Sequence, residues 1–193
     1  MVVVLLLDEA ATALARSERE LAQDSLGDQD PRSPIDGCQA PETLGSLDIM
    51  TTGDPVPIMA ARVFADAGAN GTTGFFIDPL APEAALQGGD SGVIIAPADP
   101  LKARLNLGVR SLEAGASFQI TVRNKNGVVR NTQTKTYGPT FFEQVNANSY
   151  VGVTLDGNDT ITFSVNSGKA IIYGAQTDNK TQDPSVQYAK KTF

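Results

Sequence analysis

The chain has 193 residues, a length that fits one or two domains, with 15 basic and 22 acidic side chains, no His, no Trp and one Cys. Zero His removes the commonest metal ligand, the Ser-His and Cys-His nucleophile pairs and the commonest general base, and one Cys excludes an intrachain disulfide or a thiolate metal cluster. The net charge of −7 and a pI near 4.5 argue against a nucleic-acid binder, because no bulk positive charge meets the phosphates.

Val2 to Leu7 is an apolar run of six residues, far short of the ~20 that cross a membrane as a helix. No basic region precedes it and Asp8-Glu9 follow at once, so it does not read as a signal peptide. Its consecutive valines predict a strand. Ala10 to Ala22 is the one helix candidate, with a thin apolar stripe and acidic residues at its start, where they suit the helix dipole. Ser25 to Pro41 is rich in Gly, Asp and Pro and reads as a loop holding Cys38.

From Leu44 onward the pattern is strands. Leu47, Ile49 and Thr51 alternate with polar neighbours; Val56–Phe64, Gly74–Ile77 and Gly92–Ala96 are apolar runs, and Asp78–Ser91 is a connection. Ala103 to Val109 and Phe118 to Val122 alternate as two strands. Asn126-Gly127 is a hairpin signal in which both residues are expected to take positive φ. The polar return, Val128 to Thr136, is expected at a sheet edge. Val151, Val153 and Leu155 read as a strand before a turn at Asp156-Gly157. Ile161 to Val165 and Lys169 to Thr177 read as strands separated by a turn at Asn166-Ser167-Gly168. Short strands with turns at this spacing indicate an all-β sandwich.

Two stretches look alike at an offset of 114 residues, pairing Leu47 with Ile161, Ile49 with Phe163, Ile58 with Ile172 and Ala61 with Ala175. Val2 to Leu7 then falls against Ala116 to Thr121. The expectation is two tandem copies, the first lacking the strand that matches Ala103 to Val109 and so leaving an open edge.

The segments Arg104-Leu-Asn-Leu-Gly108, Phe142-Glu-Gln-Val-Asn146 and Ala170-Ile-Ile-Tyr-Gly-Ala-Gln-Thr-Asp-Asn-Lys-Thr-Gln-Asp-Pro184 carry a family likeness. Together with Ala61-Arg-Val-Phe64 and Gly71-Thr-Thr-Gly74 they resemble a repeated Ig-like β-sandwich domain of secreted, multi-domain proteins of environmental bacteria. The likeness covers roughly residues 44–188. It implies an extracellular or cell-surface module without catalysis. Residues 8–43 fit no part of the pattern.

Several motifs mimic chemistry. Gly89-Asp90-Ser91-Gly92 looks like a protease nucleophile motif, but a Ser without a base is no nucleophile, and the run reads as a turn. Asp24, Asp28, Asp30 and Asp36, and separately Asp156, Asn158 and Asp159, offer oxygen ligands for Ca²⁺ without the EF-hand spacing; turn formation is the commoner use of such residues. Asp178-Asn179 and Asp183-Pro184 bracket a loop that their side chains are expected to hold. Glu83, Glu113 and Glu143 supply carboxylates, yet nothing in the spacing sets two of them at glycosidase separation. Asn70, Asn158 and Asn179 head glycosylation sequons. Phe75-Phe76 and Phe141-Phe142 each send one ring to the core and one outward as a possible anchor.

The sequence therefore predicts an all-β protein: an Ig-like antiparallel β-sandwich, in two tandem copies with one short N-terminal helix. Residues 1–80 are the truncated or modified copy and 85–190 the complete one. The expected role is a structural or adhesive module with no cofactor, metal or catalytic residue. Its expected partner is another protein or surface component, including copies of itself. The candidate interaction residues are Val2, Val4, Leu6, Phe76 and Phe142. The alternative is a self-assembling filament or lattice subunit built by strand addition, for which the charge split speaks. Residues 1–100 carry 4 basic and 16 acidic side chains, and residues 101–193 carry 11 and 6.

Overall fold

The computed structural model describes residues 5–8, 46–50, 61–66 and 72–192. The expected helix at 10–22, the loop at 25–41, the Asp24 to Asp36 cluster, Asn70, Val2 and Val4 lie outside the described residues. β1 (Leu5–Asp8) pairs in parallel with β2 (Leu47–Met50), and β3 (Ala61–Asp66) pairs antiparallel with β4 (Thr72–Ile77). The remaining strands form one eight-stranded sheet. They are β5 (Leu86–Gln87), β6 (Ser91–Ile95), β7 (Ala103–Arg123), β8 (Val129–Tyr137), β9 (Phe142–Asn146), β10 (Thr160–Asp178), β11 (Pro184–Tyr188) and β12 (Lys190–Lys191). The protein is all-β, and the sheet is antiparallel throughout.

Its frame is one long antiparallel strand pair whose members are separated in the chain by β8 and β9. β7 and β10 pair over almost their whole lengths, and both bend midway. Burial shows how. On β7 the inward residues are Leu105, Leu107 and Val109 in the first arm but Ala116, Phe118, Ile120 and Val122 in the second. The parity changes from odd to even, so an irregularity between the arms has turned the strand over. On β10 the change runs from Ile161, Phe163 and Val165 to Ala170 and Ile172. The register shifts lie between Val165 and Ala170, and Gly115 and Gly168 sit there with φ of +69° and +72°. Asn166-Ser167-Gly168 is thus a bulge within a strand and not the expected turn, and Ala103 to Arg123 is one strand, not two.

The bend lays one arm over the other. The first arm of β7 and the second arm of β10 carry β9 and β11; the opposite arms carry β8, β6 and β12. The inner faces enclose the main core, where Gly174 of one arm meets the Ile94 side chain of the other. The outer face of the β9–β11 arm holds a second cluster of Leu112, Ile171, Tyr173 and Ala175, covered by Ile77 and Ala85 with Phe75 and Leu80. Residues 170–175 are buried on both faces for that reason.

Both open sides are stitched. Gln187 of β11 donates to the Ile95 carbonyl and accepts from the Ile95 N–H, tying the two arms at one seam. At the other, a short helix, α1 (Ala147–Val151), joins the β9 end to β8. Asn146 caps its start, and Gly152 ends it at φ +69°. Asn131 and Gln133 of β8 donate to the Val151 and Tyr150 carbonyls, which the helix leaves unpaired. Val151 therefore ends a helix and does not start the strand expected at 151–155. The polar alternation of β8 is explained as well: its inward residues hold the helix end, while Thr132, Thr134 and Thr136 face water at the sheet edge.

The hairpin at Asn124–Val128 forms with only Gly127 at positive φ, so the loop is not the two-residue type that requires it at both positions. Asn124 Oδ1 accepts from the Asn126 and Val128 amides and fixes it. At the offset of 114 residues, β1 and β2 align with parts of β7 and β10. The senses differ: β1–β2 is parallel and β7–β10 antiparallel.

Candidate functional site

The seam closed by α1 gathers the polar and aromatic side chains that the core leaves over. Ser111, fully buried on β7, donates its hydroxyl to the Gly138 carbonyl and accepts the Phe141 N–H, and its own amide reaches the Phe141 carbonyl. This pins the β8–β9 connection. The Phe141 ring, 45% exposed, stacks on Tyr137 at 5.2 Å between centroids. Tyr137 lies 5.7 Å from Phe118, and Phe118 lies 5.8 Å from Phe163, so the rings run from the surface into the core.

Tyr137 also organises the polar groups. Its hydroxyl lies 2.6 Å from Glu143 Oε2 and 2.8 Å from the Tyr150 hydroxyl. Tyr137 has one proton to give, and the carboxylate takes it, so Tyr150 donates to Tyr137. Burial pushes both phenols above their ordinary value, so they stay neutral donors. The Lys135 ammonium sits 4.0 Å from the centroid of the Tyr150 ring. Lys135, Thr136, Tyr137, Gly138, Phe141 and Glu143 line an open cleft of about 330 Å³. Among the described residues neither the Lys135 ammonium nor Glu143 Oε1 has a hydrogen-bond partner. A larger cleft of about 470 Å³ lies at the bulges beside Gln87, Glu113 and Lys169, but no aromatic ring lines it.

No family model matches the chain, and no curated protein does. A crystal structure of Thermotoga maritima 1070 is similar at a TM-score of 0.43 and 10% identity, over 56% of this chain and 97% of that one.

The residues proposed from sequence fall in different places. Leu6 stands opposite Asp48 in the β1–β2 register. Phe76 is 72% exposed, while Phe75 packs on the second cluster. Phe142 is half-buried against that same cluster, so the exposed ring of its pair is Phe141. Glu143 belongs to the cleft. For Tyr137, Lys135 and Tyr150 the sequence offers one signal, a tyrosine closing a polar strand just before Gly138-Pro139.

The chemical mimics are engaged in the frame. Ser91 shares a hydrogen bond with the Ser164 hydroxyl, and Asp90 pairs with Lys191 at 2.6 Å. Asp159, buried, accepts from Arg130 and from the Asp156 N–H, and Asp156 pairs with Arg130 at 3.0 Å. Asp178 accepts from the Thr181 and Lys180 amides, which hold its carboxyl below its ordinary value. Asn179 donates to the Leu101 carbonyl and accepts from Arg104. Among the described residues no cluster of three acidic, His or Cys side chains is placed to hold a metal, and no helix is long and apolar enough to cross a membrane.

Proposed function

We propose that this chain is a non-catalytic, extracellular adhesive or structural module, with residues 85–190 as its Ig-like sandwich unit. The observation that carries this reading is how the reactive side chains are used. Asp90, Asp159, Asp178 and Ser91 each hold part of the frame, while exposed aromatic and charged groups collect at one seam. Zero His in the whole sequence supports it. So does the motif likeness at Arg104–Gly108 and Ala170–Pro184, from which the extracellular placement comes. In this reading residues 1–80 are a truncated or modified copy. The test is a screen of the purified chain for glycoside and ester hydrolysis beside a surface-binding assay on bacterial cells. Binding without turnover is expected; a hydrolysis abolished by one carboxylate substitution overturns the reading.

The self-assembling subunit stands as the second reading. The edge of β8 supports it, because β8 ends the sheet and nine residues of strand are free on its outer side among the described residues. Against it, Leu5–Asp8 of the candidate donor strand is paired with β2 inside the chain. A chain that stays monomeric at high concentration and low salt removes this reading.

A further inference from the structure

The cleft at the β8–β9 seam has a chemistry that narrows what it grips, and the argument rests on the adhesive reading. One wall is an exposed aromatic face, Phe141, backed by Tyr137 and fixed through Ser111. Two polar groups flank it. Glu143 is oriented through Oε2 by Tyr137 and keeps Oε1 as an acceptor. Lys135 is steered over the Tyr150 ring and keeps its N–H donors. The charges are opposite and share one shallow space. An anion there is drawn to the Lys135 ammonium but repelled by the Glu143 carboxylate, and a cation the reverse, so the two charges offset and favour no ligand of either net charge. A neutral ligand with adjacent hydroxyls satisfies both, since each hydroxyl donates to a carboxylate oxygen and accepts from an ammonium. An apolar C–H face on the same ligand covers the ring. A pyranose has both faces.

We propose that the Phe141–Glu143–Lys135 cleft binds a sugar ring of a neutral polysaccharide. Phe141 is the stacking platform, Glu143 the acceptor and Lys135 the donor. Tyr137 and Tyr150 are positioning residues.

The test is calorimetric titration of the full chain with cellohexaose, xylohexaose, mannohexaose and chitohexaose. Glycine betaine serves as the zwitterionic probe. At least one hexaose should bind in the weak range expected for one ring and a few hydrogen bonds. Phe141→Ala should weaken it at least tenfold. Glu143→Gln, which keeps an acceptor for Tyr137, should weaken it several-fold. Leu101→Ala, at an exposed apolar side chain elsewhere, should leave it unchanged. Unchanged unfolding midpoints in urea show that the variants are folded; should Phe141→Ala unfold, Lys135→Met replaces it with the same expectation.

Binding of none of the four sugars overturns the site, and so does preference for glycine betaine. Sugar binding that survives Phe141→Ala and Glu143→Gln also overturns it, while leaving the adhesive reading standing. Conversely, hydrolysis of the bound sugar that Glu143→Gln abolishes overturns the non-catalytic reading and leaves the sugar site in place.

Discussion

Gly108 and Tyr173 stand opposite each other in the β7–β10 register, and the tyrosine ring lies where a side chain at 108 would be. The ring closes the second cluster, and its hydroxyl reaches Gln144 on β9 at 2.7 Å, so three strands are tied through the gap the glycine leaves. Gly108→Ala places a Cβ inside the ring and forces Tyr173 out of its packing. The expected cost is about 2–3 kcal/mol, the upper part of the range for overpacking, read as a lower urea midpoint with an unchanged slope. Tyr173→Phe keeps the ring and loses only the bond to Gln144, for about 1 kcal/mol. Equal costs for the two variants contradict the packing account.

The two bulge glycines are a sharper case. Gly168 has φ +72°, and a Cβ there would overlap the Gly115 carbonyl; Gly115 has φ +69°, and its Cβ would lie 2.5 Å from the Tyr137 carbonyl oxygen. Gly127 has φ +81° with open space around it. Left-handed backbone costs a residue with a side chain about 1 kcal/mol or more, and the clashes add to that. Gly127→Ala is expected to cost about 1 kcal/mol. Gly168→Ala is expected to cost about 3 kcal/mol or more, because backbone must move at the bend. Thermal melts of the two variants side by side decide it; similar melting shifts remove the bulge as the point that sets the fold.

These glycines also show why the sequence was only partly readable. Alternation at Leu105–Val109, Phe118–Val122 and Ile161–Val165 announces strands whatever the tertiary context, so the all-β class was legible. The continuity of β7 and β10 was not. A change of burial parity inside one strand looks, on paper, like a turn between two strands, and Gly168 is as good a turn residue as a bulge residue. Likewise Val151, Val153 and Leu155 alternate as a strand does, but Asn146 and Gly152 cap a helical turn whose carbonyls find Asn131 and Gln133 from a distant strand. The cleft was legible only in part. Glu143 and the Phe pair stand out by their chemistry, whereas Tyr137 and Lys135 join them through strand pairing that no local pattern encodes.

Asp159 and Arg130 give a third prediction. Asp159 is 1% exposed and rests on Arg130 and the Asp156 N–H. Arg130→Met strands a buried carboxylate and is expected to cost about 3 kcal/mol. Asp159→Asn keeps an acceptor for the Asp156 amide and removes the charge, so it should cost less. The double variant should cost less than the sum of the singles, as interacting partners do. Additivity in urea unfolding contradicts the pairing. If Ca²⁺ shifts the melt of the parent chain, and Asp159→Asn abolishes that shift, the cluster binds metal rather than serving Arg130 alone.

The last prediction concerns alkaline pH. Burial holds the phenols of Tyr150 and Tyr173 above their ordinary 10.0, with Glu143 adding to the first and Tyr188 to the second. Tyr137 is raised too, by burial first and then by Tyr150 and Glu143. The unfolded chain releases these protons near the ordinary value, while the folded chain keeps them. Above about pH 10 the folded state therefore binds more protons than the unfolded state, and stability falls as pH rises. The contribution is fully present below that pH and is lost as pH climbs toward the folded values. The slope is about 1.4 kcal/mol per pH unit for each phenol that stays protonated, less for half-buried Tyr137. Urea midpoints should hold level from neutral pH to about 9.5 and then drop. Phenolate absorbance of these residues should appear together with unfolding. Tyr150→Phe should make the drop shallower by about one phenol's share. An unchanged drop in that variant places the alkaline sensitivity elsewhere than in the Tyr137–Tyr150 pair.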